Sequence, residues 1–390
     1  MSDSEPEDSD PPQAMDREPP TRPKSPSTRE DFIAEALSQQ GFEEETIPFI
    51  SKPQRDSSCN VYDAYWGQFL DFCKSKNWNP ALTNAQRMCT YLIHLFEEGK
   101  QVNTIECVHA ALKSVLRHYG YPQHHYPGPV KDCIKSFWKA RPRTKKVCTE
   151  WDVNHVLDSF LKPPYVDEDM DDSNIPLKTF TIKVAFLTAL ACSRRKSEIH
   201  AFSRSKGLFR TEKDSNSGQV VLTINTHIGF VAKNQKARDL YPPVTLQSIF
   251  HEYQDKPEDA LLCPVRAITK YVDRTKDMTN DKKLLLIHPQ EGKRATAASL
   301  ACWLKAAISS AYTEDATSPH CSPHEIRAIA ASLSAFNHAS VADILEAGTW
   351  KSYSTFTNNY LKDVGASVSD RGTVYRIPTF IAAGNRIANS

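Results

Sequence analysis

Short amphipathic segments that end at glycine or proline dominate residues 57–140 and restrict this part of the chain to helices. In the first segment, apolar residues recur at helical spacing at Tyr62, Tyr65, Trp66, Phe69 and Cys73. Similar patterns cover 83–99, 105–120 and 130–139, with Thr83 as a candidate N-cap of the second helix. The stop signals are WNP, Gly99, Gly120 and Pro142. The sequence therefore predicts a compact unit of four helices.

Residues 151–362 carry both helical and strand-like patterns. Helices are predicted at 153–161, 180–191, 244–253, 264–274, 297–312, 323–336, 339–347 and 353–361. The runs QVVLTIN (219–225) and HIGFVAK (227–233) have strand character, and because only Thr226 separates them, they predict a tight hairpin. The expected fold class is mostly α with a small antiparallel β-sheet.

The patterned regions divide the chain into domains and tails. Residues 1–56 are rich in proline, serine and acidic residues, which predicts a disordered tail with only a short helix near 31–37. A basic linker at 141–150 joins the helical domain at 57–140 to the larger domain at 151–362. Residues 363–390 are expected to be a C-terminal tail, which either docks on a neighbouring protomer or is flexible.

The net charge of +1 conceals an asymmetry along the chain. Residues 1–56 hold 6 Lys/Arg and 14 Asp/Glu, which leaves 42 Lys/Arg and 33 Asp/Glu for residues 57–390. A basic body behind an acidic tail is typical of proteins that bind a polyanion such as DNA, although many basic proteins bind no nucleic acid.

Cysteine usage and hydropathy bear on location. The 10 cysteines include no C-x-x-C pair and no Cys/His spacing typical of zinc sites, so we expect reduced thiols in the cytosol or nucleus and no zinc module. No run approaches the roughly 18 apolar residues of a membrane span, and the acidic N-terminus lacks the apolar stretch of a secretory signal. With DNA as the expected partner, the nucleus is the expected location, without membrane contact.

Basic residues cluster late in the helical domain and in the linker. They are Lys113, Arg117, Lys131, Lys135, Lys139, Arg141, Arg143, Lys145 and Lys146. One interpretation is a solvated helix face followed by an ordinary linker. The other is a surface that contacts the DNA backbone, with the linker passing along the duplex.

Several short motifs in the larger domain carry residues suited to phosphate chemistry, although each is weak alone. In chain order they supply Arg195, Ser197, Glu198, Lys233, Lys236, Arg238, His324, Arg327, Trp350 and Tyr360. Each of three motifs has an ordinary explanation. Arg195 could lie at a solvated helix end, Lys233 could be a solubilising residue at a hairpin tip, and Trp350 and Tyr360 could pack in an aromatic core. SPHEIR is more specific, because it places an imidazole and a guanidinium on one face at the start of a predicted helix.

The order and separation of these motifs resemble the tyrosine recombinase superfamily, also called the phage integrase family. The resemblance covers about residues 58–362 and includes K-x-x-K-x-R, H-x-x-R, a tryptophan 23 residues after the second arginine and a tyrosine near the end. Within the superfamily the chain looks most like recombinases of DIRS-like and Ngaro-like retrotransposons and of Crypton elements. The segments behind that comparison are DAYWGQFLDFCKSKNWNP, LCPVRAITKYV, SPHEIRAIAASL and W-x8-NYL.

The resemblance implies the tyrosine recombinase fold, in which a four-helix core-binding domain clamps DNA beside an α-rich catalytic domain. It implies that Arg195 and Arg327 bind the nonbridging oxygens of a DNA phosphodiester, where planar guanidinium forks fit the phosphate. His324 is then a further donor or a base, and the indole N–H of Trp350 is a donor. Lys236 and Arg238 are further DNA-binding candidates.

The same resemblance implies that Tyr360 attacks the phosphorus and that Lys233 protonates the departing 5′-oxygen as general acid. The product is a 3′-phosphotyrosyl enzyme, which stores the bond energy, so neither ATP nor a metal cofactor is expected. The implied partners are double-stranded DNA and further copies of the chain. A tetramer is expected on DNA, and a monomer or dimer when free.

Some alternatives stay open at this point. Tyr360 lies ten residues after Trp350, where the superfamily more often has nine, so Tyr353 is a second candidate nucleophile. Arg194, beside Arg195, leaves a possible register error. The expected function is strand exchange for a mobile element. A domesticated DNA-binding protein that no longer cuts, and a type IB topoisomerase, are the alternatives.

Overall fold

The computed structural model describes thirteen stretches of the chain and divides it into two compact units. The stretches are 28–51, 56–121, 128–143, 149–213, 215, 219–233, 235, 241–249, 257–278, 284–290, 292–312, 319–336 and 339–362. The first unit is Met1–Thr144 and the second is Lys145–Ser390. Within the described residues, no helix is both long and apolar enough to span a membrane.

Six α-helices occur in the described part of the first unit. They are α1 (Arg29–Gln39), α2 (Ile47–Ser51), α3 (Asp56–Ser75), α4 (Ala85–Glu97), α5 (Val102–Leu116) and α6 (Pro129–Ala140). Its core contains Trp66 and Phe69 from α3, Tyr91 from α4 and Leu112 from α5. The four helices predicted from residue 57 onward correspond to α3–α6. However, Asn84 rather than Thr83 caps α4, because the Asn84 side chain accepts a hydrogen bond from the Arg87 amide at 3.0 Å.

Helix α1 contains the short helix predicted near residues 31–37, and it packs into the core of the first unit. Thr28 and Asp31 make a reciprocal capping box that starts α1. Phe32 from α1 lies 5.0 Å from the Trp66 ring, and the fully buried Arg29 pairs with Asp63 at 2.8 Å. The acidic composition of the region concealed this apolar face. Residues 1–27 and 52–55 of the predicted tail lie outside the described residues.

Nine helices and three strands occur in the described part of the second unit. The helices are α7 (Val153–Ser159), α8 (Leu177–Cys192), α9 (Lys196–His200), α10 (Pro257–Leu262), α11 (Pro264–Arg274), α12 (Ala297–Ser310), α13 (Pro323–Phe336), α14 (Val341–Ala347) and α15 (Tyr353–Asn359). Helix α8 is central, since residues 183–192 are all buried and α11, α12 and α13 pack against it. The strands are β1 (Phe209–Lys213), β2 (Val220–Ile224) and β3 (Val244–Gln247). The predicted class, mostly α with a small antiparallel sheet, is confirmed.

The predicted hairpin is wrong in its partners. Strand β2 pairs antiparallel with β1, placing Phe209 opposite Ile224, and with β3, placing Ile224 opposite Val244. Residues 227–233 turn instead of extending, because Gly229 adopts a φ of 88°. The helix predicted at 244–253 is β3 over its first four residues. The signal for β1 was weak because its sequence, FRTEK, is polar and mostly exposed.

Candidate active site

The break between α8 and α9 positions the first arginine of the site. Ser193 ends α8 in the left-handed conformation, with a φ of 50°. The amide of Arg195 then donates to Glu198 Oε2 at 2.9 Å, and its Nη1 donates to Oε1 at 2.8 Å. Glu198 is fully buried. Its carboxylate therefore fixes the Arg195 guanidinium through charge-assisted hydrogen bonds.

The neighbouring arginine is used inside the protein. Arg194 is 3% exposed, and its Nη1 donates to the Tyr241 hydroxyl at 2.9 Å. Its Nη2 lies 3.5 Å from the Pro242 carbonyl oxygen, to which it donates. In contrast, Arg195 lines a cleft of about 280 Å³ together with Tyr241 and Trp350. This geometry places Arg195, and not Arg194, at the open cleft.

A second arginine, Arg327, projects from α13 toward the same carboxylate. It is 2% exposed, and its Nη1 lies 3.8 Å from Glu198 Oε2. Its Nη2 donates to the Gly348 carbonyl oxygen. Burial lowers the pKa of Arg327, and the positive charge of Arg195 lowers it further. Glu198 offsets part of this repulsion and so allows the two guanidinium groups to lie close together.

Three buried donors in this cluster have no hydrogen-bond partner among the described residues. They are Nε and Nη1 of Arg327 and Nε1 of Trp350. Trp350 itself is 5% exposed. Leaving a buried donor unpaired costs about 1–3 kcal/mol, so native proteins rarely place several together without a ligand. These unpaired N–H groups can therefore donate hydrogen bonds to the oxygen atoms of a ligand.

The turn between α14 and α15 holds both arginines. Gly348 accepts from Arg327, and Thr349 Oγ1 accepts from Arg195 Nη1 at 3.1 Å. Thr349 has a φ of 52°, which folds the chain back so that the Trp350 indole covers Gly348. A Cβ atom at position 348 would overlap that indole, so this position requires glycine.

Tyr360 completes the cluster at the end of α15. Its ring centroid lies 4.8 Å from that of Trp350, and the Arg327 guanidinium carbon lies 5.2 Å from the Tyr360 ring centroid. Ser332 Oγ, on α13, donates to the Tyr360 carbonyl oxygen at 3.4 Å. The other candidate nucleophile, Tyr353, is 53% exposed and has its ring 6.3 Å from that of Phe356. Within one chain, the geometry favours Tyr360.

His324 begins α13, as the sequence predicted, and its side chain is exposed. Its amide donates to Ser322 Oγ at 3.3 Å. Partial burial lowers the pKa of the imidazole, and the positive charges of Arg327, Lys196, Arg195 and Lys233 lower it further. His324 is therefore neutral at pH 7, with a ring that can donate from one nitrogen and accept at the other.

Lys233 differs from its prediction in local structure. It lies in a turn and not at the end of a strand, and its side chain is exposed. The turn is held at Ala232, whose amide donates to Gln235 Oε1 at 2.9 Å. The positive charge of Lys233 is the smallest of the four that lower the pKa of His324. Lys236 and Arg238 lie outside the described residues.

The candidate DNA-binding residues on α5, on α6 and in the basic linker form three groups along the sequence. Lys131, Lys135 and Lys139 follow one side of α6 at four-residue spacing, while Val130, Ile134 and Phe137 of the same helix are buried. Lys113 and Arg117 share a side at the end of α5, at the same spacing. Arg143 is exposed, and Lys145 and Lys146 lie outside the described residues.

Arg141, another of these candidates, has an internal role. Its Nη2 donates to the Phe96 carbonyl oxygen at 2.8 Å, and its guanidinium carbon lies 3.8 Å from the Phe96 ring centroid. Nη1 also donates to the Lys100 carbonyl oxygen at 3.3 Å. Arg141 therefore satisfies carbonyl groups at the end of α4, where helix termini lack partners.

Sequence reasoning missed three residues that shape the site, namely Tyr241, Gly348 and Thr349, and gave Glu198 no role. A glycine two positions before the predicted tryptophan was a usable signal, because a tight turn often requires it. Nothing in the local sequence indicated that Tyr241 meets Arg194, 47 positions earlier. Among the described residues, no group of three or more His, Cys, Asp or Glu side chains could hold a metal ion.

Comparison with known proteins finds solved structures with a similar fold, whereas comparison by sequence finds no match. No protein-family model and no curated protein matches the sequence. One solved structure with a similar fold is the Tn1549 transposon integrase in complex with transposon right end DNA. The TM-score is 0.52 at 11% identity, and the match covers 93% of this chain and 99% of that one.

A second match is the XerH site-specific recombinase bound to a palindromic difH substrate, in a post-cleavage complex. It has a TM-score of 0.51 at 14% identity, covering 85% of this chain and 93% of the other. The pre-cleavage complex of XerH with difH matches with a TM-score of 0.50 at 15% identity. The predominantly helical architecture and the three-stranded antiparallel sheet agree with these structures, and the chain therefore has the tyrosine recombinase fold.

Proposed function

We propose that this protein breaks and rejoins DNA through a covalent bond between Tyr360 and a 3′-phosphate. The observation that carries the proposal is the group of unpaired donors on Arg327 and Trp350, packed against the Tyr360 ring. A tetrahedral phosphate offers several acceptor oxygens in a small volume, which suits such a group. The DNA-bound solved structures with the same fold support this class of substrate.

The two arginines stabilise the transition state. In phosphoryl transfer, negative charge spreads over the nonbridging oxygens, so donors held in place before the reaction lower the barrier. Arg195 and Arg327 are held by Glu198, Thr349 and Gly348 and need little rearrangement. Removing one such donor typically slows catalysis about 100- to 1000-fold.

The reaction is a transesterification with balanced proton transfers. The Tyr360 oxygen forms a bond to phosphorus, its proton leaves to His324 or to water, and the bond from phosphorus to the 5′-oxygen breaks. Lys233 gives a proton to that oxygen, leaving a free 5′-hydroxyl. Attack by a 5′-hydroxyl of another strand reverses these steps and completes strand exchange. One phosphoester replaces another, so no ATP is consumed.

We also propose the type of genetic element, the location and the assembly in which this reaction occurs. We place the protein among the recombinases of mobile elements, similar to those of DIRS-like and Ngaro-like retrotransposons and Cryptons. It acts in the nucleus as a tetramer on two DNA segments, and the stripe of Lys131, Lys135 and Lys139 contacts the DNA backbone. Residues 363–390, for which docking on a neighbouring protomer and a flexible tail were the two expectations, lie outside the described residues.

Covalent capture on DNA tests the proposal without a known target. The protein is incubated with a library of nicked duplexes of random sequence, denatured, and the DNA that stays attached is sequenced. A nick beside the cleaved bond lets the short fragment diffuse away, so the covalent complex accumulates. Wild type and Tyr353→Phe should capture DNA and converge on a common sequence, whereas Tyr360→Phe should capture none.

Other outcomes identify the alternative functions. DNA binding in a gel shift with no covalent complex from wild type indicates a binding protein that does not cut. Relaxation of supercoiled plasmid with no preferred sequence among the captured DNAs indicates a topoisomerase. Equal capture by Tyr360→Phe and wild type rules out Tyr360 as the nucleophile.

A further inference from the structure

Tyr241 occupies a position between the arginine centre and the turn that carries Lys233. It lies three residues before β3, and it lines the 280 Å³ cleft together with Arg195 and Trp350. Arg194 donates to its hydroxyl at 2.9 Å, and the Arg194 guanidinium carbon lies 5.1 Å from its ring centroid. One side of Tyr241 is therefore fixed to the end of α8.

The ring of Tyr241 also contacts the segment at 227–233. Its centroid lies 6.1 Å from that of Phe230, with the planes at 84°, which is an edge-to-face contact. Phe230 in turn lies 6.1 Å from the His227 ring at 66°. The amide of His227 donates to the Ala201 carbonyl oxygen at 2.8 Å, which anchors the start of the segment. Phe230 lies three residues before Lys233 in the same segment.

The far end of this segment combines exposed and buried residues. Ile228 is 90% exposed and the Lys233 side chain is also exposed, whereas Ala232 is buried and its amide donates to Gln235 Oε1 at 2.9 Å. Gly229 adopts a φ of 88°, which makes the turn between Ile228 and Phe230. The orientation of the exposed Lys233 side chain therefore depends on how the backbone beside it is held, and the Phe230 contact with Tyr241 contributes to that.

Glu198 also acts on Tyr241. Burial raises the pKa of the Tyr241 hydroxyl, and the charge and hydrogen bond of the Glu198 carboxylate raise it further against the opposing effect of Arg194. The hydroxyl thus stays protonated and available as a donor at neutral pH. Tyr241 therefore accepts a hydrogen bond from Arg194, the residue beside Arg195, with its hydroxyl and contacts the lysine turn with its ring.

We propose that Tyr241 is a positioning residue that aligns Lys233 with the phosphate-binding arginines, an inference that rests on the proposed function. A general acid must lie within hydrogen-bond reach of the leaving oxygen. Displacement of a reacting group by about 1 Å can cost roughly 100-fold in rate. The Phe230–Tyr241–Arg194 stack couples the exposed turn to the buried centre and so limits that displacement.

Hydrogen exchange tests the contact without any DNA. Tyr241→Leu removes the aromatic ring, and amide exchange in peptides covering 227–233 should become about 10-fold faster. Tyr241→Phe keeps both ring contacts and should exchange at close to the wild-type rate. Unchanged exchange in Tyr241→Leu would overturn the proposal, and so would equally fast exchange in Tyr241→Phe, because the ring would not then be what holds the turn.

A substrate with a better leaving group tests the consequence for catalysis. The duplex recovered by covalent capture is synthesised with sulfur in place of the bridging 5′-oxygen at the cleaved bond. A thiol has a pKa near 8.5, so its thiolate departs without a proton from Lys233. Lys233→Ala is the reference, since it should cleave ordinary DNA slowly and the sulfur-bridged duplex at nearly the wild-type rate.

Tyr241→Leu should show the same pattern as the reference. Cleavage of ordinary DNA should slow by about 10- to 100-fold, with unchanged DNA affinity and restored cleavage of the sulfur-bridged duplex. Slow cleavage of both duplexes would overturn the inference, because the defect would then lie in phosphate binding or folding. If wild type forms no covalent complex, the proposed function fails, while hydrogen exchange still decides whether Tyr241 holds the turn.

Discussion

At the scale of single residues, Gly348 has the most restricted position in the site, since any Cβ there overlaps the Trp350 indole. Gly348→Ala should lower the free energy of unfolding by about 1–3 kcal/mol through overpacking. It should also abolish covalent capture of DNA, because both arginines are anchored on this turn. Chemical denaturation and the capture assay measure the two effects.

Gly67 provides the matched control for that substitution. It lies within α3, has no atom within 4 Å of an added Cβ and does not have positive φ. Gly67→Ala should therefore be neutral or stabilising by about 0.5–1 kcal/mol, since glycine is unfavourable inside a helix. Equal stability of Gly348→Ala and wild type would contradict the placement of the indole.

Because the pKa of His324 is lowered, the free energy of unfolding should depend on pH below pH 6.5. Its pKa is lowered from 6.5 in the folded chain, so below pH 6.5 the unfolded chain binds a proton that the folded chain resists. Wild type should therefore lose stability relative to His324→Gln as the pH falls from 6.5 toward the lowered value. Above pH 6.5 the difference between them should be constant. Urea denaturation at pH 5.5 and 7.5 measures this, and a constant difference at both pH values would contradict the lowered pKa.

The sequence indicated the candidate site residues whose chemical roles are uncommon and whose order along the chain is characteristic of one superfamily. In the structure, Arg195 and Arg327 both lie beside Glu198, and the Arg327 guanidinium lies over the rings of Trp350 and Tyr360. The supporting residues could not be predicted, because a tyrosine such as Tyr241 has the same local sequence signal in a core, a surface or a site. Their roles come from three-dimensional contacts alone.

At the scale of elements, the acidic loop before α8 joins that helix to α11. Asp172 is fully buried and pairs with Lys183 at 3.3 Å, Arg266 at 2.9 Å and Lys270 at 2.6 Å. Asp172→Asn removes the carboxylate that pairs with the fully buried Lys183 and should destabilise the protein by about 3–5 kcal/mol. Asp169→Asn, in the exposed part of the same loop, should change stability little. Denaturation in urea compares the two, and equal losses would contradict the account.

The Asp172 interaction depends on pH in the same direction as His324, because the pKa of each group is lower in the folded chain, but it does so over a more acidic range. Burial opposes the ionised carboxyl, but hydrogen bonds from Arg266 and Lys270 outweigh it and hold the pKa of Asp172 well below its ordinary 3.8. Its contribution is present above pH 3.8 and is lost as the pH falls through the lowered value. The extra destabilisation of Asp172→Asn should therefore persist at pH 5 and shrink only in strong acid.

Elements with clear start and stop signals were predictable. Helices α3–α6 and α11–α13 follow the predicted spans within a few residues, except for the N-terminal extension of α3, because their apolar spacing and their glycine or proline boundaries agree. Among the strands, β2 corresponds to the predicted run QVVLTIN, whereas the second run, HIGFVAK, is not a strand, since short apolar runs do not distinguish a strand from a turn with buried residues. The run HIGFVAK contains Gly229 at positive φ, and that conformation is not visible in sequence spacing.

At the scale of the whole molecule, the basic excess of residues 57–390 should make DNA binding depend on salt. The logarithm of affinity falls with the logarithm of salt concentration by about 0.9 for each phosphate contacted. Replacing Lys131, Lys135 and Lys139 with glutamine should therefore make the slope shallower. Lys74→Gln, with a side chain 81% exposed on α3, should leave it unchanged. Fluorescence anisotropy on a labelled duplex gives the slopes, and equal slopes for the triple variant and wild type would show that the α6 stripe does not contact DNA.

The central claim is that Tyr360 becomes covalently joined to DNA within the pocket of Arg195, Arg327 and Trp350. The most direct measurement is tandem mass spectrometry of the peptide that remains attached to captured DNA after protease and nuclease digestion. We expect a nucleotide linked through a 3′-phosphate to the Tyr360 oxygen. A nucleotide on Tyr353, or on any other side chain, would contradict it.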